Sequence, residues 1–396
     1  MILAALLPVA LLVIVVAVER LRLPVFLAVM AVVVAYGVAA DMTFHSVGKA
    51  FGLGFVQSLE QVGLLVVAGA LVTALLARPP LGARWAALAG ALAGLGGSAA
   101  GGLALLQPIA SGAPRRAVGL ALTLLATQAL IAPAPLAVAA ASVLKVDLQL
   151  MLAIALPVAC LGAGAVWFYL ARLLSDEGAR GRLSWTLLAV VIPLALLIVQ
   201  AVAQMPTEPL GRGGAREFYT GISGGLMLAV LTIALALIAV RRWPTATLAD
   251  ASWAPLLLAV GAAGGFARVL DETGMAELWA ERVLDPRLGV LAPFLAAAIV
   301  KTLQGNSLSA VLTATGMIEP MLPALGLDSA SGRALAAAAA GAGSIAICHF
   351  NDPLFWIAAH MGGLSPRRAL LVISGGSLVL GVVAAGALAL LSLVLR

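Results

Sequence analysis

The residues with the most chemistry to offer stand in short polar interruptions of an apolar chain. One is His349-Phe350-Asn351-Asp352-Pro353. A charged side chain at membrane depth costs about 2.5–3.5 kcal/mol on insertion scales and is seldom kept without a task. An unperturbed imidazole titrates near neutrality, so His349 can take up or release a proton under physiological conditions. Asp352 can also cap a helix that starts at Pro353, because Asp suits the capping position and Pro the first helical one. The two roles are compatible. His349 and Asp352 are the proton-coupling candidates, and Asn351 is a candidate substrate ligand.

A second interruption reads Gln304-Gly305-Asn306-Ser307-Leu308-Ser309. Asn306 and Ser307 bring an amide and a hydroxyl, with Gln304 and Gly305 in the same turn. Lys301 precedes Gln304 by less than one helical turn. A cation in an apolar arm needs a partner, either a substrate carboxylate or a nearby acid. In the first half of the chain, Ser98 lies in the run Gly94-Leu95-Gly96-Gly97-Ser98-Ala99-Ala100-Gly101-Gly102, and Thr127 and Gln128 come just before Ile131-Ala132-Pro133-Ala134-Pro135. These groups can bind an anion and move a proton. Little else is spelled out: His45, His349 and His360 show no metal-ligand spacing, and there is no phosphate-binding loop and no nucleophile–base arrangement. No enzyme activity, metal or cofactor is expected. Cys160 and Cys348, without a C-x-x-C pair, read as small packing residues.

The elements that must carry these residues are membrane helices. Of 396 residues, 63% are hydrophobic and 10% charged, and mean hydropathy is +1.13. Soluble domains carry about 25% charged residues, and no single soluble core could hide this much apolar surface. Long unbroken stretches such as 183–202 and 218–240 fit helices of about 20 residues rather than alternating barrel strands. The net charge of +6 is accounted for by Arg in short loops between spans, so lipid rather than nucleic acid is the expected partner. The apolar run 1–18 lacks a basic leader and a cleavage site, and reads as the first span.

About ten spans are expected, centred near Val9, Ala31, Val67, Leu122, Ala159, Val191, Leu231, Val260, Ala339 and Leu380. Two further stretches, 83–113 and 288–325, have apolar arms of about 10 to 16 residues around the polar turns at Ser98 and Asn306. Such arms do not cross a core of about 30 Å at about 1.5 Å per residue, so each reads as a re-entrant hairpin. Loop charges then sort themselves. Arg20, Arg22, Arg78, Arg84, Arg115, Arg116, Arg172, Arg180, Arg182, Arg241, Arg242, Arg367 and Arg368 fall on one side. The fewer Lys49, Lys145, Arg212, Arg216, Arg282, Arg287, Arg333 and Arg396 fall on the other. The richer side is cytoplasmic.

Each half holds a span, a hairpin and a Pro-bearing broken helix. Residues 1–204 carry the hairpin that enters from inside, and 205–396 the one that enters from outside. Inverted repeats with interrupted helices point to a midplane binding site in secondary transporters. The fold class is therefore an all-α membrane protein: about ten transmembrane helices, two re-entrant hairpins and two broken helices in inverted repeats.

Three segments carry a resemblance. Lys301-Thr302-Leu303-Gln304-Gly305-Asn306-Ser307-Leu308-Ser309-Ala310 resembles the gluconate permease family of proton symporters, in which a basic residue is followed closely by Gln-Gly-Ser. Gly341-Ala342-Gly343-Ser344, His349-Phe350-Asn351-Asp352 and Phe355-Trp356 resemble that family's Gly-Ala-Gly-Ser, Ser-His-x-Asn-Asp and Phe-Trp signature; Gly264-Gly265-Phe266 ahead of Thr273-Gly274 is similar to a further glycine run. The likeness covers 261–356 well and extends more weakly back to 132–135. It implies an ion-transporter-type fold in a bacterial inner membrane, with a scaffold and a moving part that work as an elevator. It also implies a homodimer, a sugar-acid or hydroxy-carboxylate substrate, and coupling to protons. Ser344 joins the substrate-binding candidates on this ground. The sequence departs from the pattern at Gly101–Leu106, where the family has an aromatic-Asp segment, at Ala132–Pro135, where it has Pro-Pro-His-Pro, and at Lys301, where Arg is common. Sodium coupling, or a receptor or enzyme on a transporter scaffold, are the alternatives.

Overall fold

The computed structural model describes residues 2–77, 79–175, 181–240 and 253–395. Arg78, Arg180, Arg241, Arg242 and Arg396, on which part of the charge assignment rests, lie outside the described residues. Apart from an isolated bridge between Leu81 and Gly181, the regular structure among the described residues is helical.

Among the described residues, six helical segments are long and apolar enough to cross a bilayer: Phe44–Leu76, Pro114–Val143, Leu148–Leu173, Trp185–Ala203, Trp253–Asp271 and Pro366–Leu395. A seventh results if Gly214–Ile222 and Gly225–Val240, bent by 49°, form one span. Seven of the expected centres fall in these segments. Val9 falls in the apolar helix Ile2–Glu19, of 18 residues, Ala31 in the shorter apolar helix Val25–Ala39, and Ala339 in Ala330–Gly343.

The helices that frame the site are α1 (Phe44–Leu76), α2 (Ala83–Gly94), α3 (Ala99–Leu105), α4 (Pro114–Leu130), α5 (Pro135–Val143), α6 (Leu188–Ala203), α7 (Trp253–Asp271), α8 (Met275–Arg282), α9 (Leu291–Gln304), α10 (Ser307–Ile318), α11 (Ala330–Gly343), α12 (Pro353–Gly362) and α13 (Gly375–Leu395). Polar side chains close their open starts. Thr43 Oγ1 accepts from Ser46 N at the start of α1 (3.1 Å), and Ser329 Oγ accepts from Gly332 N at the start of α11 (3.0 Å). Each cap satisfies a backbone donor that lipid could not.

α2 and α3 form one helical hairpin. At its base, Leu81 N donates to Ile109 O (2.8 Å) and Arg116 Nη1 to Pro80 O (3.3 Å), so the chain arrives and departs side by side. α9 and α10 form the other. Residues 286–291 before α9 lie against Gly386–Leu393 of α13, whose last turn accepts a bond from Ser331 Oγ (2.9 Å). After α10, Glu319 pairs with Lys145, just beyond α5 (3.2 Å). The two broken helices, α4–α5 and α11–α12, run antiparallel. The start of α4 meets the end of α12, where Gly112 N donates to Met361 O (2.8 Å). The end of α5 meets the start of α11, where Arg333 Nη1 donates to Leu144 O (3.3 Å). The ends of α4 and α11 meet between them, with Gly341 against the Ala129 carbonyl.

α1 and α7 cross antiparallel at a contact that only glycine permits. A Cβ on Gly54 would fall on the Gly264 carbonyl oxygen and within 2.6 Å of the Arg268 Cβ, and one on Gly264 would fall on the Gly54 carbonyl. Ser58 Oγ locks the crossing by donating to Val260 O (3.0 Å). Forcing a side chain into a contact made by backbone displaces both helices and costs about 1–3 kcal/mol. Gly54→Ala should lower the thermal unfolding midpoint of the purified protein, whereas Gly48→Ala, which has open space around it, should leave it unchanged.

Candidate functional site

The two hairpin turns and the two helix breaks come together around one cavity of about 540 Å³. Of the residues singled out above, Ser98, Gln128, Lys301, Gln304, Gly305, Asn306, Ser307, Asn351 and Asp352 line it. Thr127, Ser344 and His349 are buried and sit behind its wall. Thr127 Oγ1 bonds back to Thr123 O (3.2 Å), and Ser344 Oγ to Gly341 O (2.7 Å).

The break between α11 and α12 is built around Asp352. Its Oδ1 accepts from Leu354 N (2.8 Å), which caps α12. Its Oδ2 meets Lys301 Nζ at 2.5 Å and accepts from Cys348 Sγ at 3.3 Å. Lys301, 1% exposed, also donates to Gly305 O (2.7 Å). One ammonium thus ties the turn of the second hairpin to the break. His349 Nε2 bonds to Thr302 O (2.7 Å), and a carbonyl can only accept, so Nε2 carries the hydrogen. Asn351 Nδ2 donates to the Thr302 and Leu303 carbonyls (3.1 and 3.3 Å). The open carbonyls at the end of α9 therefore find their donors in the break. Gly305 has φ +70° and packs against the Asn351 backbone carbonyl, with Asn351 Cγ 2.9 Å from where a Cβ would stand. Both constraints demand glycine.

The strings that mark the break have a packing reason. Phe350 stacks on Trp356 and meets Phe355 edge-on, each pair 5.2 Å between centroids, and Trp356 Nε1 donates to Phe350 O (2.9 Å). Ile347 holds φ +52°, a strained value for a β-branched residue. The next residue is clamped from outside the break: Cys348 N donates to Ser377 Oγ (2.9 Å) and Ser374 Oγ to Cys348 O (2.6 Å). Ser374 ends a π-helical stretch, Leu370–Ser374.

Ser98 and Asn306 are the caps of α3 and α10. Ser98 Oγ accepts from Gly101 N (3.2 Å), and Asn306 Oδ1 from Leu308 N (2.9 Å) and Ser309 N (3.2 Å). The first turns of α3, α5, α10 and α12 all border the cavity, through Ala99, Pro135, Ser307 and Pro353. Each helix start carries about half a positive charge. The side-chain charges offset one another: Lys301 pairs with Asp352, and Arg268, in the wall, pairs with Asp271 (3.2 Å) and Glu272 (2.6 Å). The field that the cavity feels from the protein therefore comes largely from the helix ends.

Sequence reasoning passed over Gln57 and Gln61 on α1 and Gln200 and Gln204 at the end of α6, all in the wall. The missed signal was uncharged. Each pair of glutamines is spaced i, i+4 in an apolar helix, which puts both amides on one face.

A helical bundle with several apolar spans and discontinuous helices around a polar cavity is a multi-pass membrane protein of the permease kind. The profile of the GntP family permease matches residues 114–394, and the chain belongs to that family, one of permeases and not of enzymes. It is 33% identical over 131 residues to the low-affinity gluconate transporter of Escherichia coli K12, covering 33% of this chain and 29% of that one. It is 27% identical over 205 residues to an uncharacterized permease of Haemophilus influenzae, covering 48% and 41%. To the D-serine transporter DsdX of Escherichia coli O6:H1 it is 25% identical over 228 residues, covering 56% and 51%. The chain thus spans about half or less of the length of these curated relatives.

Removing one partner of a buried ion pair strands the other and costs about 3–5 kcal/mol, while replacing both with apolar groups is often neutral. Lys301→Met should therefore destabilise the protein strongly by thermal unfolding in detergent. The double variant Lys301→Met/Asp352→Leu should recover most of the loss. A double variant as unstable as the sum of the single ones would show that the pair is not coupled.

Proposed function

We propose that this protein is a secondary active transporter of small organic anions, a proton-coupled symporter of a sugar acid or hydroxy-carboxylate in a bacterial inner membrane. The observation that carries this reading is the convergence of four helix starts and two interrupted helices on one cavity whose side-chain charges cancel. Such a site attracts a carboxylate through the positive ends of its helix dipoles and leaves amides and hydroxyls to bind the rest of the molecule. The named substrates of two relatives agree in kind, since gluconate and D-serine each carry a hydroxyl within two carbons of a carboxylate.

The shared base of each hairpin supports re-entry: each comes from one face and returns to it, the first from the cytoplasm and the second from outside. Residues 1–204 and 205–396 then form inverted repeats. Ser98, Thr127, Gln128, Lys301, Gln304, Gly305, Asn306, Ser307, Ser344 and Asn351 form or support the substrate site. His349 and Asp352 handle the proton. The hairpins and broken helices move as the carrying unit of an elevator, against a scaffold through which two copies of the chain pair.

The full chain reconstituted in liposomes should accumulate radiolabelled gluconate or a related acid when the outside is made acidic. Replacing sodium by choline at constant pH should not change the rate, and Asp352→Asn should abolish accumulation. No uptake and no thermal stabilisation across a broad panel of organic anions would sink the proposal. Loss of uptake in choline would transfer the coupling to sodium.

A further inference from the structure

Glu277 lies on α8, outside the cavity wall, yet it is hydrogen-bonded to a residue within that wall. Gln304, the last residue of α9 and 5% exposed, donates from Nε2 to Glu277 Oε1 (2.9 Å). Its Oε1 accepts from Ser309 Oγ on α10 (2.6 Å). An ionised carboxylate can only accept, so the Gln304 nitrogen must face Glu277 and the oxygen must face Ser309. The reversed amide would set two oxygens against each other. Glu277 thereby settles which end of the amide points which way, at a residue beside the tightest turn of the second hairpin.

A primary amide offers two N–H donors and two acceptor lone pairs. After these bonds Gln304 retains one of each. A hydroxyl is a donor and an acceptor at once, so an amide held in one orientation can exchange two hydrogen bonds with a single substrate hydroxyl. A site built this way rejects an analogue that lacks the hydroxyl, because its own polar atoms are then buried without partners.

We propose that Glu277 is a positioning residue for substrate selectivity: it fixes the Gln304 amide so that the carrier distinguishes a hydroxylated carboxylate from its deoxy counterpart. This rests on the transporter reading above. Glu277 acts through Gln304 and does not itself touch the substrate.

The test uses the full chain in proteoliposomes, with gluconate uptake measured alone and in competition with hexanoate. Glu277→Ala should raise the KM for gluconate at least tenfold, leave the maximal rate within twofold, and narrow the preference for gluconate over hexanoate by a similar factor. Glu277→Gln, whose oxygen can still accept from Gln304 but whose nitrogen no longer forbids the reversed amide, should recover KM and selectivity only in part. An unchanged KM in Glu277→Ala, a loss confined to the maximal rate, an undiminished selectivity, or a Glu277→Gln variant as impaired as Glu277→Ala would each overturn the proposal.

Thermal unfolding supplies a readout that does not need transport. In a cycle of Glu277→Ala and Gln304→Ala, the double variant should melt no lower than the worse single one. Additive losses in a protein that still transports overturn this inference alone. An unaltered protein that carries no anion overturns the transporter reading and this inference with it.

Discussion

A helix that stops partway through an apolar medium exposes N–H groups at one cut and C=O groups at the other, with no water to take them up. In this protein that constraint organises the centre of the molecule. The carbonyls left open at the end of α9 are met by His349 and Asn351. The amides left open at the starts of α3, α10 and α12 are met by Ser98, Asn306 and Asp352. Once Asp352 is committed to capping, its remaining charge needs a cation, and Lys301 supplies it. The ammonium in turn takes up the Gly305 carbonyl at the hairpin turn. Local helix chemistry, repeated at several cuts, thus produces a connected polar centre in a chain that is otherwise apolar.

The same logic explains why α13 takes part without lining the cavity. The π-helical turn that leads into it and its own first turn bring Ser374 and Ser377 onto the two backbone groups of Cys348, beside the strained Ile347. Single π turns are frequent where helices serve a site. Here the turn supports an irregular backbone from behind, while the Phe350, Phe355 and Trp356 cluster fills the space beneath it.

Much of this was legible in the residues. Long apolar runs give helices, and Pro and Gly beside Asn, Asp or Ser mark where they break, because those types set backbone angles or compete for backbone bonds. The string from His349 to Asp352 and the turn at Asn306 therefore announced themselves, and the structure brings both to one cavity. Other features were hidden by their nature. Ala31 sits in a helix of 15 residues, shorter than its hydropathy suggested, since apolarity does not report where a helix ends. Gln57, Gln61, Gln200 and Gln204 carry no charge and break no helix, so only their i, i+4 pairing marked them. The partnerships of Lys301 with Asp352 and of Gln304 with Glu277 join positions far apart in the chain, which only the tertiary fold could bring together.

The four helix starts around the cavity have a consequence for descent as well as for binding. A potential generated by peptide groups belongs to no single codon, and exchanging one side chain leaves it in place. The amides and hydroxyls around the cavity are, by contrast, each one substitution away from something else. A lineage built on this plan can exchange the polar groups of its cavity while the field of the helix ends is inherited unaltered.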